Sequence, residues 1–349
     1  CIRDRRLTGF IILIISFVLV FGMSLASTFP ASSETEIEAM TSSEITLDDN
    51  QDIRINNVET SDTEQYVNVV DFGAVGDGVT DDYQAIMDAI DYAMENNQDG
   101  VYFPSGTFAI GSTIWLNSQY SGLTMISENG IIKLIDESVY RAIEIKADSQ
   151  GDVEDITIKG LTLDGNKDNM NVERWDNWGI HVWNDASIAR EIHIEDIHVY
   201  DFSGNGLYVD TTDTTVKNIL SHNNWGHGLA IGGSAQNVTV ENITVHDNVS
   251  PNNRLYGAGI DIRGGDDIVV NNFISKNNGF GLKTSIYDPN AVITNGYVYS
   301  NNWYGVRIIQ DTKNIYMDNI TTEENGYCGF VFRDQGTINV GSISSINDG

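Results

Sequence analysis

The sequence predicts an all-β parallel β-helix, a solenoid of short strands with an α-helix over its N-terminal end. Three observations support this fold: a glycine-led strand pattern that repeats seven times, further alternating strands within the repeats, and one non-repetitive helical segment before them. The chain has 349 residues, 41% of them hydrophobic, which is enough to bury a continuous core.

Each repeat begins with a glycine that is followed by alternating apolar residues. Successive glycines are 27, 22, 31, 22, 24 and 24 residues apart, so one coil holds about 22–31 residues. This period disfavours helical solenoids, whose repeats are longer. The glycine-led segments are 179–182, 206–209, 228–231, 259–262, 281–284, 305–308 and 329–332.

Two more short strands follow within a repeat, for example 238–240 and 243–245, separated by a turn. Each coil is therefore expected to contain three strands. Asparagine recurs before the glycines, at 223–224, 277–278, 301–302 and 325. Because Asn tolerates left-handed backbone and can bond its counterpart in the next coil, it suits a stacked turn. An antiparallel β-sandwich would explain the alternation of apolar and polar residues, but not the recurrence of a glycine at the start of seven successive repeats.

The segment before the repeats predicts a capping helix. Ile86, Ala89, Ile90 and Ala93 lie on one helical face, and Thr80 or Asp81 is the expected N-cap. An exposed end of stacked strands promotes aggregation, and a helix packed over it prevents this.

The N-terminal residues predict export and divide the chain into three parts. Three arginines precede an apolar run that ends in the small-residue segment 24–26, so residues 1–26 are expected to be a signal peptide or a signal anchor. Both alternatives stay open, because the run only approaches the length that spans a bilayer. We expect a secreted or cell-surface protein, with membrane anchoring through this segment as the second alternative.

Residues 27–64 are expected to form a disordered acidic linker. They contain ten acidic residues and one basic residue, with no apolar periodicity, and cannot bury enough surface to offset the entropy of ordering. Residues 65–349 are assigned to the β-helix. The chain ends at Gly349 without a recognisable capping segment, which leaves a C-terminal truncation open.

The charge balance excludes one class of partner. With 50 acidic and 19 basic residues, the net charge of −31 repels nucleic acid. It would also repel an acidic polysaccharide unless a basic groove or bound cations offset it locally. No oligomeric state is predicted.

Residues 71–93 and 100–108 resemble the N-terminal signature of the pectate-lyase-3 type of β-helix, in the pectate lyase superfamily. The resemblance implies a right-handed parallel β-helix and a polysaccharide partner, because that group includes tailspike depolymerases, pectinolytic enzymes and mannuronan C5-epimerases. It is specific for the fold but not for the reaction. In such proteins the substrate lies along the outer face of one parallel sheet.

Side chains of the glycine-led strands should form two outward columns, since alternate residues face outward. The first column holds His181, Tyr208, Ala230, Asp261, Lys283, Arg307 and Val331, and the second holds Trp183, Asp210, Gly232, Arg263, Ser285, Ile309 and Arg333. From these columns the candidate catalytic residues are Asp210, Asp261, Arg263, Lys283 and Arg307. The candidate substrate-binding residues are His181, Trp183, Tyr208 and, from a neighbouring turn, His227. The alternative is an ordinary solvated sheet face with ion pairs between coils.

Two family templates disfavour particular reactions. Segments 164–169, 203–206 and 221–224 resemble mannuronan C5-epimerases, but Asn205 replaces their catalytic Tyr, and 208–210 is Tyr-Val-Asp instead of Asp-Pro-His. A C5-epimerase is therefore disfavoured. Segment 226–232 resembles the Gly-His-Gly segment of polygalacturonases, but the aspartates of that family are missing from the preceding coils.

The sequence leaves three alternatives: two reactions on a glycan, and glycan binding without catalysis. Asp210 and Asp261, on the order of 10 Å apart from the rung spacing, could act as an inverting hydrolase pair. Arg263, Lys283 and Arg307 could instead neutralise a uronate during β-elimination. The sequence thus favours a lyase or glycoside hydrolase acting on uronate-containing or related glycans, and the alternative is a non-catalytic glycan-binding surface or adhesion protein. No metal site or cofactor is assigned, although oxygens at 247–248 or 266–267 could hold Ca²⁺.

Limited proteolysis tests the linker. We expect cleavage within residues 27–64 to leave the folded core intact, because nothing there can pack. The fragments would be identified by mass spectrometry and the core by circular dichroism. Protection of this segment would contradict the assignment.

Overall fold

The computed structural model describes residues 65–135, 141–169, 176–251, 257–285, 289–309, 314–333 and 336–349. The expected signal segment and acidic linker lie outside the described residues. Among those residues, no helix has both the length and the apolar character needed to cross a membrane.

The described chain forms one α-helix, α1 (Tyr83–Glu95), and 25 strands that form two sheets, numbered in chain order. The nine-stranded sheet contains β5 (Ile114–Leu116), β8 (Arg141–Ala147), β11 (Trp178–Asn184), β13 (Leu207–Asp210), β15 (Leu229–Ile231), β17 (Ala258–Ile262), β19 (Phe280–Thr284), β21 (Tyr304–Ile309) and β23 (Cys328–Arg333).

The other sheet has sixteen strands. These are β1 (Tyr66–Asn68), β2 (Asp77–Asp81), β3 (Gly100–Phe103), β4 (Gly106–Ile110), β6 (Thr124–Ser127), β7 (Gly130–Leu134), β9 (Val153–Lys159), β10 (Thr162–Asp164), β12 (Ala189–Tyr200), β14 (Thr212–His222), β16 (Gln236–His246), β18 (Asp266–Lys276), β20 (Asn290–Tyr299), β22 (Asn314–Glu323), β24 (Thr337–Val340) and β25 (Ile343–Ile346). Short 3-10 turns occupy Val69–Phe72, Ser118–Tyr120 and Lys167–Asn169.

The long strands of the sixteen-stranded sheet bend in the middle, so each supplies two sides of a coil. At the bends Asn218, Asn242 and Asn272 have φ angles of 55°, 56° and 53°. Asn adopts this left-handed conformation at lower cost than most residues because its short side chain bonds locally. Together with the glycine-led strand, the two halves give the three-strand coil that the sequence predicted.

The paired strands run parallel, as the repeat predicted. Leu207 pairs with Leu229 in parallel register, and Leu229 in turn pairs with Ile260. The inward residues of these strands, such as Val209, Ile231 and Ile262, are fully buried. Parallel β-helix architecture is therefore confirmed, with its core inside the coils.

A buried ladder of asparagines joins successive coils beside the nine-stranded sheet. The side-chain amide of Asn224 donates to Asn248 Oδ1 (3.0 Å), and that of Asn248 donates to Asn278 Oδ1 (3.0 Å). The ladder continues through Asn301 and Asn325, whose side chains are joined at 2.9 Å. In the pair Asn223-Asn224, each residue has one of the two roles predicted for asparagine. Asn223 adopts the left-handed conformation (φ 55°), and Asn224 forms the hydrogen bonds of the ladder.

Helix α1 packs its apolar face onto the first strands, as predicted. Ile86, Ile90 and Ala93 are buried against this end of the core. Of the two predicted N-cap residues, Asp81 provides the side-chain cap, because its Oδ1 accepts the backbone N–H of Tyr83 at 3.1 Å, and Asp82 between them already has helical backbone angles (φ −89°, ψ −1°). Asp82 gives no side-chain cap, since its carboxylate accepts the backbone N–H groups of residues 75 (2.6 Å) and 76 (3.0 Å).

The ladder should be the feature most sensitive to mutation outside the apolar core. Asn248→Ala leaves buried partners unpaired on two coils, including the carbonyl of Ser221, and should lower the free energy of unfolding by about 2–5 kcal/mol. The measurement is urea-induced unfolding followed by circular dichroism. Asn302→Ala is the matched control, since Asn302 is exposed and its side chain has no hydrogen-bond partner within the described residues, and an equal loss in both variants would contradict the role of the ladder.

Candidate functional site

The first outward column of the nine-stranded sheet has the predicted register, and so do the two end pairs of the second column. His181 pairs with Tyr208, Tyr208 with Ala230, and Ala230 with Asp261. Asp261 then pairs with Lys283, which pairs with Arg307. Trp183 pairs with Asp210 in the second column. The fixed spacing of parallel strands therefore brings candidate residues from distant parts of the sequence to within one coil of each other.

Asp261 is the centre of the closest group of candidate residues. Its Oδ2 lies 3.1 Å from Arg263 Nε and 3.4 Å from Lys283 Nζ, and its Oδ1 accepts the Ser285 hydroxyl at 2.8 Å. The carboxylate is only 1% exposed, whereas the Lys283 and Arg263 side chains are 14% and 26% exposed. We call Arg263, Lys283 and Arg307 the cationic centre.

His227 lies beneath Asp261 and not on the outer surface. Its Nδ1 accepts the backbone N–H of Ala258 at 2.9 Å, so in the neutral ring the proton is on Nε2, which faces Asp261 Oδ2 at 3.3 Å. Burial, followed by the charge of Lys283, lowers the pKa of His227 to about 3. The imidazole is therefore neutral at pH 7 and acts as a donor that holds Asp261.

Asp261 remains ionised despite its burial. Burial would raise its pKa, but His227, Lys283 and Arg263 act in the opposite direction and hold the pKa below its usual value. Because His227 is neutral at pH 7, the two cations supply the opposing charge. These ion pairs are not the exposed contacts that a solvated sheet face implies, and removing one partner of a buried pair is destabilising.

Arg307 differs from the other two cations in having no carboxylate partner within the described residues. Its guanidinium lies over the Phe280 ring, 5.4 Å from the centroid. Burial lowers its pKa, and the charge of Arg333 acts in the same direction. Because no carboxylate of the described residues pairs with this guanidinium, its N–H groups can donate to an anionic ligand.

Asp210 and Tyr208 lie toward the N-terminal side of the cationic centre. Asp210 Oδ1 accepts the backbone N–H of Ser234 (2.8 Å), and burial raises the pKa of this carboxyl. Burial and the nearby charge of Asp210 also raise the pKa of the Tyr208 phenol. The environments of Asp210 and Asp261 thus shift their two pKa values in opposite directions.

The aromatic candidates stack on one another instead of facing outward. Trp178 and Tyr208 are parallel within 11° at 5.0 Å, with Arg141 over Trp178 (5.1 Å) and Arg263 over Tyr208 (5.4 Å). Trp183 lies between His181 (5.4 Å) and Lys146 (4.5 Å) in the same manner. Trp183 and Tyr208 therefore have neighbouring side chains against their ring faces, and their role as substrate-binding residues stays a prediction.

Two further residues extend the first column toward the N-terminus. Trp115 pairs with Glu144, and Glu144 pairs with His181. Glu144 Oε1 accepts Trp183 Nε1–H at 2.7 Å and lies 3.4 Å from His181 Nδ1. The repeat pattern does not reveal either residue, because their strands lack the leading glycine that defines it.

Of the two pairs considered for Ca²⁺, Asp247 and Asn248 already have protein partners. Asp247 Oδ2 lies 2.6 Å from His246 Nδ1, and Asn248 belongs to the buried ladder. In the described part of the chain, no group of three or more His, Cys, Asp and Glu side chains is arranged to hold a metal ion.

Family models match two regions of the chain. Residues 66–133 match the model described as "Rhamnogalacturonase A/epimerase, pectate lyase-like", and residues 178–343 match "Right handed beta helix region". The first match includes the segments whose resemblance was noted in the sequence. The second includes all seven glycine-led repeats.

Curated relatives match just under half of the chain. Mannuronan C5-epimerase AlgE4 of Azotobacter vinelandii is 32% identical over 170 residues, which is 45% of this chain and 30% of the relative. Alginate lyase 7 of the same organism is 29% identical over 168 residues (45% and 20%). Plasmin and fibronectin-binding protein A of Streptococcus pneumoniae is 28% identical over 179 residues (48% and 22%). The match therefore spans less than a third of the length of each of these relatives.

Solved structures share the fold. The Dettilon tailspike protein has a TM-score of 0.63 at 16% identity, covering 76% of this chain and 52% of its own. The A-module of mannuronan C5-epimerase AlgE6 of Azotobacter vinelandii has a TM-score of 0.54 at 19% identity, covering 81% and 98%. At these identities the likeness concerns the fold alone.

The lowered pKa values of three buried histidines predict how the stability of the fold depends on pH. Burial is the first cause that lowers the pKa of His181 to about 4 and those of His222 and His227 to about 3. Their folded-state pKa values lie below the unfolded value near 6.5, so the unfolded chain binds more protons as the pH falls. This contribution to stability is complete above about pH 6.5 and is lost as the pH falls toward the folded-state values.

Urea unfolding at several pH values between 5 and 6.5 measures this effect. The free energy of unfolding should decrease as the pH is lowered. At pH 5 the slope should correspond to about three protons taken up on unfolding. His222→Gln should reduce the slope by about one third. A stability that does not change over this range would contradict the depressed pKa values.

Proposed function

We propose that this pectate-lyase-like right-handed parallel β-helix protein is exported and acts on a uronate-containing polysaccharide at the cationic centre of its nine-stranded sheet. The observation that carries the proposal is a cluster of three cations on the outward face of a chain whose net charge is −31. The relatives named for mannuronan and alginate support a polysaccharide as the partner.

The charges at the site favour a carboxylate ligand. Asp261 neutralises one charge of the cationic centre and the Asp210 carboxylate offsets a second at Arg263, which leaves the excess of positive charge beside Arg307. Elsewhere the acidic surface repels an anionic chain. A uronate carboxylate is therefore attracted to Arg307 and the accessible sides of Lys283 and Arg263 more strongly than to the rest of the protein.

Among reactions on such a ligand, β-elimination fits these residues best. Cations that bind the uronate carboxylate stabilise the negative charge that develops when the proton on the adjacent carbon is removed. In this proposal the uronate that reacts has its carboxylate at Arg263, which lies over the Tyr208 ring (5.4 Å) and whose charge acts on Asp210, whereas Lys283 and Arg307 bind other uronates of the same chain. The Asp210 carboxylate takes the proton of the reacting unit, because its raised pKa makes it a stronger base than an ordinary Asp. The glycosidic C–O bond then breaks, the Tyr208 phenol gives its proton to the leaving oxygen, and an unsaturated uronate remains.

Hydrolysis by an Asp210–Asp261 pair is supported less well. Asp261 is almost fully buried, and its oxygens already contact Ser285, Arg263, Lys283 and His227. A carboxylate in that environment cannot flank a glycosidic bond or activate a water molecule.

The second candidate function is glycan binding without catalysis, as in a surface or adhesion protein. It is favoured by Asn205, which replaces the catalytic Tyr of the epimerases and whose side-chain oxygen accepts the His227 backbone N–H (2.8 Å). The similarity to a protein named for binding plasmin and fibronectin also agrees with a non-catalytic role.

Assays on a panel of polyuronates and mixed glycans separate these functions. A lyase produces the ultraviolet absorbance of unsaturated uronates, a hydrolase produces reducing ends without it, and a binding protein gives neither but retains affinity. Asp210→Asn should abolish elimination and leave binding intact. If wild-type protein neither binds nor cleaves any of these glycans, the proposed function is wrong.

Arg307→Ala tests the cationic centre with little effect on the fold. We expect binding of a uronate-containing glycan to weaken at least about tenfold, because a partly desolvated charge pair is lost. The measurement is calorimetric titration at low and moderate salt, and the wild-type affinity should fall as salt rises. Lys217→Ala is the control, since Lys217 lies on the other sheet, 3.9 Å from Glu241. Melting temperatures should stay near the wild-type value in both variants, and equal losses of affinity would contradict the site.

A further inference from the structure

We infer that Trp115 is a stacking subsite for an uncharged sugar, and that the ligand is a mixed glycan in which uncharged sugars separate the uronates. This inference rests on the proposed function, since it names the class of glycan that the same sheet accepts. It depends on three properties of the sheet face: the distance of Trp115 from the cationic centre, its free indole face, and the balanced charges around it.

Trp115 lies in the first outward column, five rungs from Asp261. The column passes from Trp115 through Glu144, His181, Tyr208 and Ala230 to Asp261. At a rung spacing of about 4.8 Å, the separation is about 24 Å along the solenoid. A pyranose unit in an extended chain is about as long as one rung, so a glycan of about six units connects the two points.

The indole of Trp115 is the one ring of this column that is open to solvent. It is 46% exposed, and among the described residues no aromatic ring or cation lies over it. Its strand, β5, is also the terminal strand of the nine-stranded sheet, so no further coil of that sheet covers its outer side. By contrast, Trp178, Trp183 and Tyr208 are covered by their neighbours. Sugar rings stack on exposed aromatic faces of this kind.

Charges near Trp115 cancel, which disfavours a uronate there. Glu144 lies 3.6 Å from Arg141, and Lys146 lies 2.9 Å from Asp185, so two cations meet two anions. These two ion pairs therefore contribute no net charge, whereas the cationic centre has an excess of positive charge. Of the cations that these pairs contain, none is left unpaired to offset the repulsion between a carboxylate at Trp115 and a chain with a charge of −31.

These properties together select an alternating glycan over a homopolyuronate. The cationic centre covers three rungs, from Arg263 beside Asp261 to Arg307, so the sixth to eighth rings of a chain whose first ring lies on Trp115 reach it. In a chain of alternating uronate and uncharged sugar, these three rings include at least one uronate even when the ring on Trp115 is uncharged. Such a chain can place a carboxylate at the cationic centre and an uncharged ring on Trp115 at the same time. A homopolyuronate of equal length would place a carboxylate-bearing ring on Trp115.

Binding measurements with defined oligosaccharides test this inference. The probes are tetra- and octasaccharides of hyaluronan, an alternating rhamnose–galacturonate octasaccharide, and octagalacturonate as the homopolymer. Trp115→Ala should weaken binding of at least one alternating octasaccharide by about tenfold and leave the tetrasaccharide unchanged, because only the longer chain reaches from the cationic centre to Trp115. Its affinity for octagalacturonate should change little. Tyr316→Ala is the control, since Tyr316 is 41% exposed on the other sheet.

The outcomes distinguish failure of the inference from failure of the proposed function. If Trp115→Ala does not affect the alternating octasaccharides, or weakens octagalacturonate binding as strongly, the inference is wrong. The proposed function would survive either result, provided that Arg307→Ala still weakens binding. If wild-type protein binds none of the probes but binds or cleaves another glycan of the panel, the inference alone is wrong, and only failure on the whole panel overturns the proposed function as well.

Discussion

Parallel backbone pairing at a constant rung spacing is the constraint on which the rest of this structure depends. It places each outward residue directly beside its counterpart in the next coil, about 4.8 Å away. Asp261 and Lys283 are adjacent for this reason, although 21 residues separate them in the sequence. The same spacing aligns the buried asparagines, so that the side-chain amides of Asn224 and Asn248 each reach the next asparagine along the axis.

The spacing also determines what the aromatic residues can do. Flat rings on adjacent coils are close to stacking distance, and the stack formed by Trp178 and Tyr208 ends in arginines on both sides. Such a stack rigidifies the sheet face and fixes the position of Arg263, but it removes ring faces from the surface. The end of the sheet is different, because a ring on the terminal strand has a neighbour on one side only. Trp115 occupies that position.

Charge is distributed unevenly over the molecule, and this unevenness gives the proposed site its selectivity. A large negative net charge keeps anionic chains away from most of the surface, whereas one buried carboxylate gathers cations at a single place. Asp261 thus has a positioning role in the proposal. It holds Lys283 and Arg263 in place, and His227 and Ser285 hold Asp261 in turn.

The sequence by itself determined the fold, the capping helix and the membership of both outward columns. Local patterns are sufficient for these features, because a repeated glycine and period-two alternation specify which residues share a face. Tertiary structure alone decided which column members are accessible. His181, His227 and Asp261 belong to or adjoin the outward columns and are nevertheless buried, since their burial depends on side chains from neighbouring coils and turns. Glu144 and Trp115 joined the column only in three dimensions, because their strands pair in register with the repeats without sharing the glycine that marks them.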